Sequence, residues 1–145
     1  MKRNLIAIGC AAMLAFGLSF GSFAGASPDS DSDGVPDAYD NCVDTPNGPT
    51  GATGSCNAQE DYDNDGYGQP CDADVNNDTG CGFDDVQQTL VAAFAAAGAG
   101  SVEDLNCDLG VGFDDVQTVL ICAGAAGVPG PSGLACAGAI PCSAQ

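Results

Sequence analysis

Apolar residues follow three unlike patterns along this chain. A continuous run from Leu5 to Phe20 follows Lys2 and Arg3 and ends in the small residues Ala24-Gly25-Ala26. That order predicts a secretory signal over residues 1–26, cut before Ser27, with Cys10 an ordinary residue of it. Residues 27–42 are acidic and contain Gly34 and Pro36, and residues 44–58 are rich in Pro, Gly and Thr. Both read as irregular, turn-forming segments. After a second acidic stretch, 60–85, a helical period appears. In residues 86–97, Val86, Leu90, Val91 and Phe94 fall on one face and Gly98 supplies a stop. A linker, 99–101, leads to another acidic ladder and helix, from Glu103 to about Ala123. The apolar helix faces are expected to form a small core between the two units. Residues 124–145 are rich in Gly, Ala and Pro and are expected to be a flexible tail.

The two helical segments are copies. FDDVQ occurs at Phe83–Gln87 and at Phe113–Gln117. Upstream, Asp74, Asn76, Asp78 and Gly80 parallel Asp104, Asn106, Asp108 and Gly110. A repeated loop-then-helix unit predicts two such units packed together.

Charge sharpens this picture. Lys2 and Arg3 are the only basic residues, against 20 carboxylates, and there is no His. Once residues 1–26 are removed, no side-chain cation remains to pair with any acid. Self-repulsion then opposes compaction, and positive charge has to come from solution. The chain of 145 residues has no Trp, and its core is expected to be too small to stand alone, so metals or disulfides are needed. Eight cysteines besides Cys10, in a chain directed to an oxidising compartment, predict disulfides. The lack of a basic patch argues against nucleic acid or an anionic membrane surface as partner.

The acids are spaced as in an EF-hand loop, which takes oxygen ligands at positions 1, 3, 5, 7, 9 and 12 with Gly at 6. Alternate residues of such a loop point inward, and the last acid returns to close the cage. Four stretches fit. In loop I, Asp29, Asp31, Asp33, Val35, Asp37 and Asp40 take these positions, with Gly34 at 6. In loop II they are Asp61, Asp63, Asp65, Tyr67, Gln69 and Asp72, with Gly66 at 6. Loop III offers Asp74, Asn76, Asp78, Gly80 and Asp85; loop IV offers Asp104, Asn106, Asp108, Gly110 and Asp115. The residues at position 7 would contribute carbonyls. Position 6 in loops III and IV is Thr79 and Leu109, so strain is expected there if that position needs positive φ, and these two sites are expected to be weaker or remodelled. Every loop closes with Asp rather than the longer Glu, which predicts affinities of roughly 10⁻⁵–10⁻³ M.

The expected cofactor is Ca²⁺. Magnesium prefers few protein ligands and retained waters. Zinc and iron–sulfur clusters need thiolates or imidazoles, and here there is no His and no CxxC pair. Catalysis is not expected, because the acids are engaged in loops and the usual bases and oxyanion partners are missing.

Two family resemblances follow from these residues. Asp29-x-Asp31-x-Asp33-Gly34, Asp37, Asp40-Asn41-Cys42 and Asp44-Thr45-Pro46 resemble thrombospondin type 3 repeats, continued more loosely to residue 74. DVNNDTGCGFDDVQQTL and DLNCDLGVGFDDVQTVL, within residues 74–122, resemble a dockerin, a tandem pair of calcium loop–helix units. The first resemblance implies a chain whose core is calcium, with Cys42 bonded to Cys56. Cys136–Cys142 is expected as a local pair. Cys71, Cys81, Cys107 and Cys122 allow three pairings, with Cys71–Cys81 and Cys107–Cys122 preferred for short-range closure.

The expected fold is therefore small, irregular, and stabilised by calcium and disulfides. Its divisions are a signal at 1–26, thrombospondin-like repeats at 27–73, a two-helix dockerin-like unit at 74–123, and a tail at 124–145. The expected function is a secreted, non-catalytic calcium-binding structural or interaction module folded around about four Ca²⁺ ions, extracellular, cell-surface or periplasmic, with no membrane span after signal cleavage. The dockerin resemblance implies an alternative, a calcium-dependent adaptor for a cohesin-like receptor; the expected protein partner is such a receptor or another cell-surface protein.

Overall fold

The computed structural model describes residues 27–142, apart from Thr53 and Ala126. The predicted signal segment and Cys10 lie outside the described residues. Regular structure consists of 3-10 turns at Asp37–Tyr39 and Gln69–Cys71 and two helices, α1 (Phe83–Phe94) and α2 (Phe113–Gly124). No strand occurs among the described residues; one isolated antiparallel bridge pairs Gly98 with Gly110.

Helix α1 begins three residues before the predicted start at Val86. The reason is the acid at N3. Asp85 Oδ2 accepts the N–H of the N-cap residue Gly82 at 2.6 Å, and Asp115 Oδ2 accepts that of Gly112 at 2.7 Å. Each Asp thereby binds an N–H that the helix leaves unpaired and adds negative charge at the favourable end of the macrodipole. At the other end α1 stops at Phe94, before Gly98, and Ala96 turns to φ 52°.

The two helices pack against each other around Ala73, Val75, Cys81, Val86, Leu105, Val116 and Val119. The expected helix face is corrected here. Val86 is buried, but Leu90 is 40% exposed, Val91 62% and Phe94 86%. The core side of α1 runs through Val86, Thr89 and Ala93, spaced i, i+3, i+7. Leu90 follows Thr89 and is turned about 100° away from it.

Cysteine pairing departs from expectation at six of eight positions. Bonds join Cys42–Cys71, Cys56–Cys107, Cys81–Cys122 and Cys136–Cys142, with Cα separations of 5.7, 5.4, 5.8 and 5.2 Å. Only the local Cys136–Cys142 pair matches. Three bonds span sequence separations of 29, 51 and 41 residues, because each joins separate segments rather than closing one turn. Cys56–Cys107 ties the Pro/Gly/Thr segment to loop IV. Cys81–Cys122 ties loop III to the end of α2.

The segment expected to be a flexible tail runs back across the acidic loops. Gly133 N–H donates to the Asp40 carbonyl at 2.8 Å, Gly138 N–H to that of Asp65 at 2.8 Å, and Cys142 N–H to that of Asn64 at 2.7 Å. Ser132 Oγ–H donates to the Gly66 carbonyl at 2.7 Å. The tail's glycines allow this close approach: a Cβ on Gly133 would overlap the Asp37 carbonyl.

Candidate metal centres

All four predicted loops share one backbone device. At position 4, φ is positive in Ser32 (65°), Asn64 (62°), Asn77 (59°) and Cys107 (51°). At position 6 it is larger still, in Gly34 (96°), Gly66 (91°), Thr79 (94°) and Leu109 (82°). The turn aims the position-6 N–H at the first acid. Gly34 donates to Asp29 Oδ2 at 3.2 Å, Gly66 to Asp61 Oδ2 at 2.9 Å, Thr79 to Asp74 Oδ2 at 2.9 Å, and Leu109 to Asp104 Oδ2 at 3.2 Å. Loops III and IV thus adopt the same turn without glycine, and Thr79 and Leu109 carry the strain of left-handed backbone.

The loops differ in how their acids converge. Carboxylate oxygens of Asp29, Asp31 and Asp33 lie within 4.8 Å of one another, as do those of Asp61, Asp63 and Asp65, and those of Asp74, Asp78 and Asp85. The equivalent acids of loop IV, Asp104, Asp108 and Asp115, do not form such a group among the described residues. There, Asp115 Oδ1 accepts the N–H groups of Leu105 and Asn106, at 2.9 and 3.2 Å. Asn106 Oδ1 accepts Asp108 N–H at 2.9 Å.

Loop I holds the most exposing detail. Asp33 and Asp40 are fully buried. Three buried carboxylate oxygens, Asp29 Oδ1, Asp31 Oδ2 and Asp40 Oδ2, have no hydrogen-bond partner. Burial raises the Asp31 carboxyl above its usual range, and Asp33, Asp40 and Asp29 add to the rise. Burial likewise raises Asp40, against the Cys42 N–H, which favours its charged form. Orphaned buried carboxylate oxygens facing like charges are unfavourable unless a cation joins them. Asp37, predicted at position 9, is turned away: its two oxygens accept from Ser30 N–H at 2.7 Å and Ser30 Oγ–H at 2.9 Å.

Loops II and III adjoin. Asp63 Oδ2 accepts the Asn77 side-chain amide at 2.8 Å, and Asp72 Oδ1 accepts Asp74 N–H at 3.1 Å. A cavity of about 310 Å³ is lined by Asp65 and Asp74 together with Val128, Pro129 and Ile140. The Asp72 carboxyl is pushed up to about 8, chiefly by burial and then by Asp65 and Asp63. Asp65 is raised to about 6, chiefly by burial, with Asp63, Asp61 and Asp74 adding to it. Gln69, predicted at position 9, is buried and donates its amide to the Val102 carbonyl at 2.6 Å. The position-7 residues Val35 and Tyr67 give their N–H groups to Asp33 Oδ1 and Asp65 Oδ1, both at 2.8 Å. In loop III the Asn76 Oδ1 is buried without a partner. Gly80 lies near Gly127, and Gly110 pairs with Gly98.

Sequence reasoning passed over several supporting residues. Asp84 and Asp114 accept the side-chain amides of Asn76 and Asn106 at 3.1 and 2.6 Å. Asn47 is fully buried; its N–H donates to Asp33 Oδ2 at 2.9 Å and its Nδ2 to Asn41 Oδ1 at 2.7 Å. Gln59 joins both asparagines. The recurrence of Asp at spacing two is visible in sequence, whereas a buried amide outside the loops leaves no periodic signal. Among the described residues no helix is long and apolar enough to cross a membrane. Comparisons with protein-family models, with curated proteins and with solved structures give no match.

Proposed function

We propose that the chain is a secreted, non-catalytic structural or interaction module that folds around Ca²⁺. The observation that carries this reading is loop I, where three buried carboxylate oxygens have no partner in a chain whose only basic residues are Lys2 and Arg3. The donor set supports a hard cation. It consists of carboxylate and amide oxygens, the eight cysteines beyond Cys10 are in disulfides, and there is no imidazole. Calcium accepts six to eight such oxygens. When bound, it supplies the positive charge that the side chains lack, and the residues named above orient the carboxylates toward it. Loops I, II and III bring three acids together and are the primary sites; loop IV, whose acids form no such group, is weaker. The four disulfides support an extracellular setting. Calorimetric titration of the metal-free chain with Ca²⁺ and, separately, Mg²⁺ tests the reading. Saturable binding with clear preference for Ca²⁺ is expected; no saturable binding, or equal preference, overturns it.

A second reading, an adaptor that docks into a cohesin-like receptor, is favoured by one feature. The duplicated helices each expose an apolar row, Phe83, Leu90, Val91 and Phe94 on α1, and Phe113, Leu120 and Ile121 on α2. Calcium-dependent capture of a purified cohesin, lost in chelator, is its test.

A further inference from the structure

Gln59 belongs to none of the acidic loops, yet its amide reaches both the middle of loop I and the residue that follows it. Its Oε1 accepts the N–H of Asn41, the residue after Asp40, at 2.7 Å. Its Nε2 donates to Asn47 Oδ1 through a short bond and approaches Asp33 Oδ2 at 3.5 Å. Asn47 in turn holds the same Asp33 oxygen through its N–H, at 2.9 Å. The backbone seals the arrangement: Gln59 N–H donates to the Asn47 carbonyl at 3.1 Å, and Asn41 Nδ2 to the Gln59 carbonyl at 3.0 Å. To make these bonds, Gln59 itself adopts φ 59°.

Gln59 thus touches the Asp33 carboxylate on one side and the backbone next to Asp40 on the other, and Asp33 and Asp40 are the fully buried acids of loop I. They stand at positions 5 and 12, which must be held on opposite sides of one ion. Without a cation they repel each other, so something neutral has to fix their separation. A primary amide suits this task, because it donates and accepts at once and adds no charge.

We propose that Gln59 is a positioning residue for loop I, one that holds Asp33 and Asp40 in register for a divalent cation and sets the affinity of that site. This rests on the reading of loop I as a Ca²⁺ site. Outer partners that orient metal ligands typically change metal affinity 10–100-fold when removed.

The test is a Ca²⁺ titration of the full chain, metal-free at the start, followed by nuclear magnetic resonance. The Gly34 amide, bonded to Asp29, reports loop I; the Gly66 amide, bonded to Asp61, reports loop II. Gln59→Glu keeps the size and the accepting oxygen but loses the donor. Gln59→Met removes both. For each, loop I is expected to weaken about tenfold or more, while loop II stays within about twofold and the metal-free melting temperature changes little. Charge counting alone predicts the opposite sign for Gln59→Glu, because it adds a carboxylate near the ion. Unchanged or tighter loop I binding in Gln59→Glu overturns the proposal. So does parallel weakening of Gly34 and Gly66 with loss of metal-free stability, which marks a general structural role. A wild-type chain whose Gly34 amide does not respond to Ca²⁺, while Gly66 does, overturns the reading of loop I itself.

Discussion

Replacing Thr79 and Leu109 with glycine should make this protein more stable, although both changes delete a side chain. The two residues hold φ of 94° and 82° at position 6 of loops III and IV, where loops I and II use Gly34 and Gly66 at 96° and 91°. A left-handed backbone costs a non-glycine residue about 1–2 kcal/mol, more for a β-branched one such as Thr79. Glycine removes that strain but gives the unfolded chain more freedom, which offsets about 0.4–1 kcal/mol. Little burial is lost, since Thr79 is exposed and Leu109 is 62% exposed. The net expectation is a gain of about 0.5–1 kcal/mol for each substitution, larger for Thr79→Gly. At about 4–8 °C per kcal/mol for a domain of this size, each should raise the melting temperature by a few degrees. Thermal unfolding followed by circular dichroism, in chelator and in Ca²⁺, reads this directly. The reverse changes sharpen the test. Gly66→Ala imposes the same strain and places a Cβ 2.5 Å from the Cys142 sulfur, so it should destabilise by more than the glycine variants stabilise. If Thr79→Gly and Leu109→Gly both lower the melting temperature, the shared position-6 turn is not the conformation these loops adopt.

Further outcomes follow from the same geometry. In the metal-free protein, Asp65 and Asp72 are raised to about 6 and about 8, above the unfolded value of about 4; the folded form therefore holds protons that the unfolded form releases. Their contribution to stability is fully present below about pH 4 and is lost as pH rises through 6 and 8. Metal-free melting temperatures should thus fall from pH 5 to pH 8, Ca²⁺ should remove that fall, and Ca²⁺ binding at pH 7 should release protons, measurable by calorimetry in buffers of different ionisation heat. A flat metal-free profile contradicts this. Peptide mapping without reduction should find Cys42 with Cys71, Cys56 with Cys107, and Cys81 with Cys122, and Cys56→Ser with Cys107→Ser should destabilise by about 2–4 kcal/mol; Cys42 bonded to Cys56 contradicts the observed pairing. Val119→Ala, at a fully buried core position, should destabilise by about 2 kcal/mol, whereas Phe94→Ser should change stability by less than about 0.5 kcal/mol. Equal losses from denaturant titration would restore Phe94 to the core.

The local chemistry of this fold was far more legible than its long-range closure. Asp at spacing two with Gly34 and Gly66 marks a tight turn, and the turn is there. The FDDVQ copies announce two equivalent helix starts, and Asp85 and Asp115 make equivalent bonds. The helix face differs because the apolar period of Val86, Leu90, Val91 and Phe94 does not mark the buried side. In so small a core, Val86, Thr89 and Ala93 fit against α2, and Phe94 does not. Disulfide partners were misread because short closure was assumed, whereas the bonds join units whose adjacency no local pattern records. The polar centre made by Asn41, Asn47 and Gln59 was missed for a related reason. Amides outside a ligand ladder look like loop residues until the fold buries them. The tail was read as mobile from composition; its glycines instead let backbone lie against the carbonyls of loops I and II.

The central claim is that metal supplies what this chain lacks, a positive charge among buried acids. The most direct measurement is calorimetric Ca²⁺ titration of the wild-type chain beside Asp40→Asn, with helical circular dichroism recorded in excess chelator and at saturation. Three ions are expected to bind at loops I to III, with a weaker fourth at loop IV. Asp40→Asn should weaken loop I alone, and chelator should loosen the two-helix unit without abolishing the disulfide-bounded compactness. No saturable binding of Ca²⁺ to the wild-type chain, with the helical signal the same in chelator and in Ca²⁺, would contradict the account.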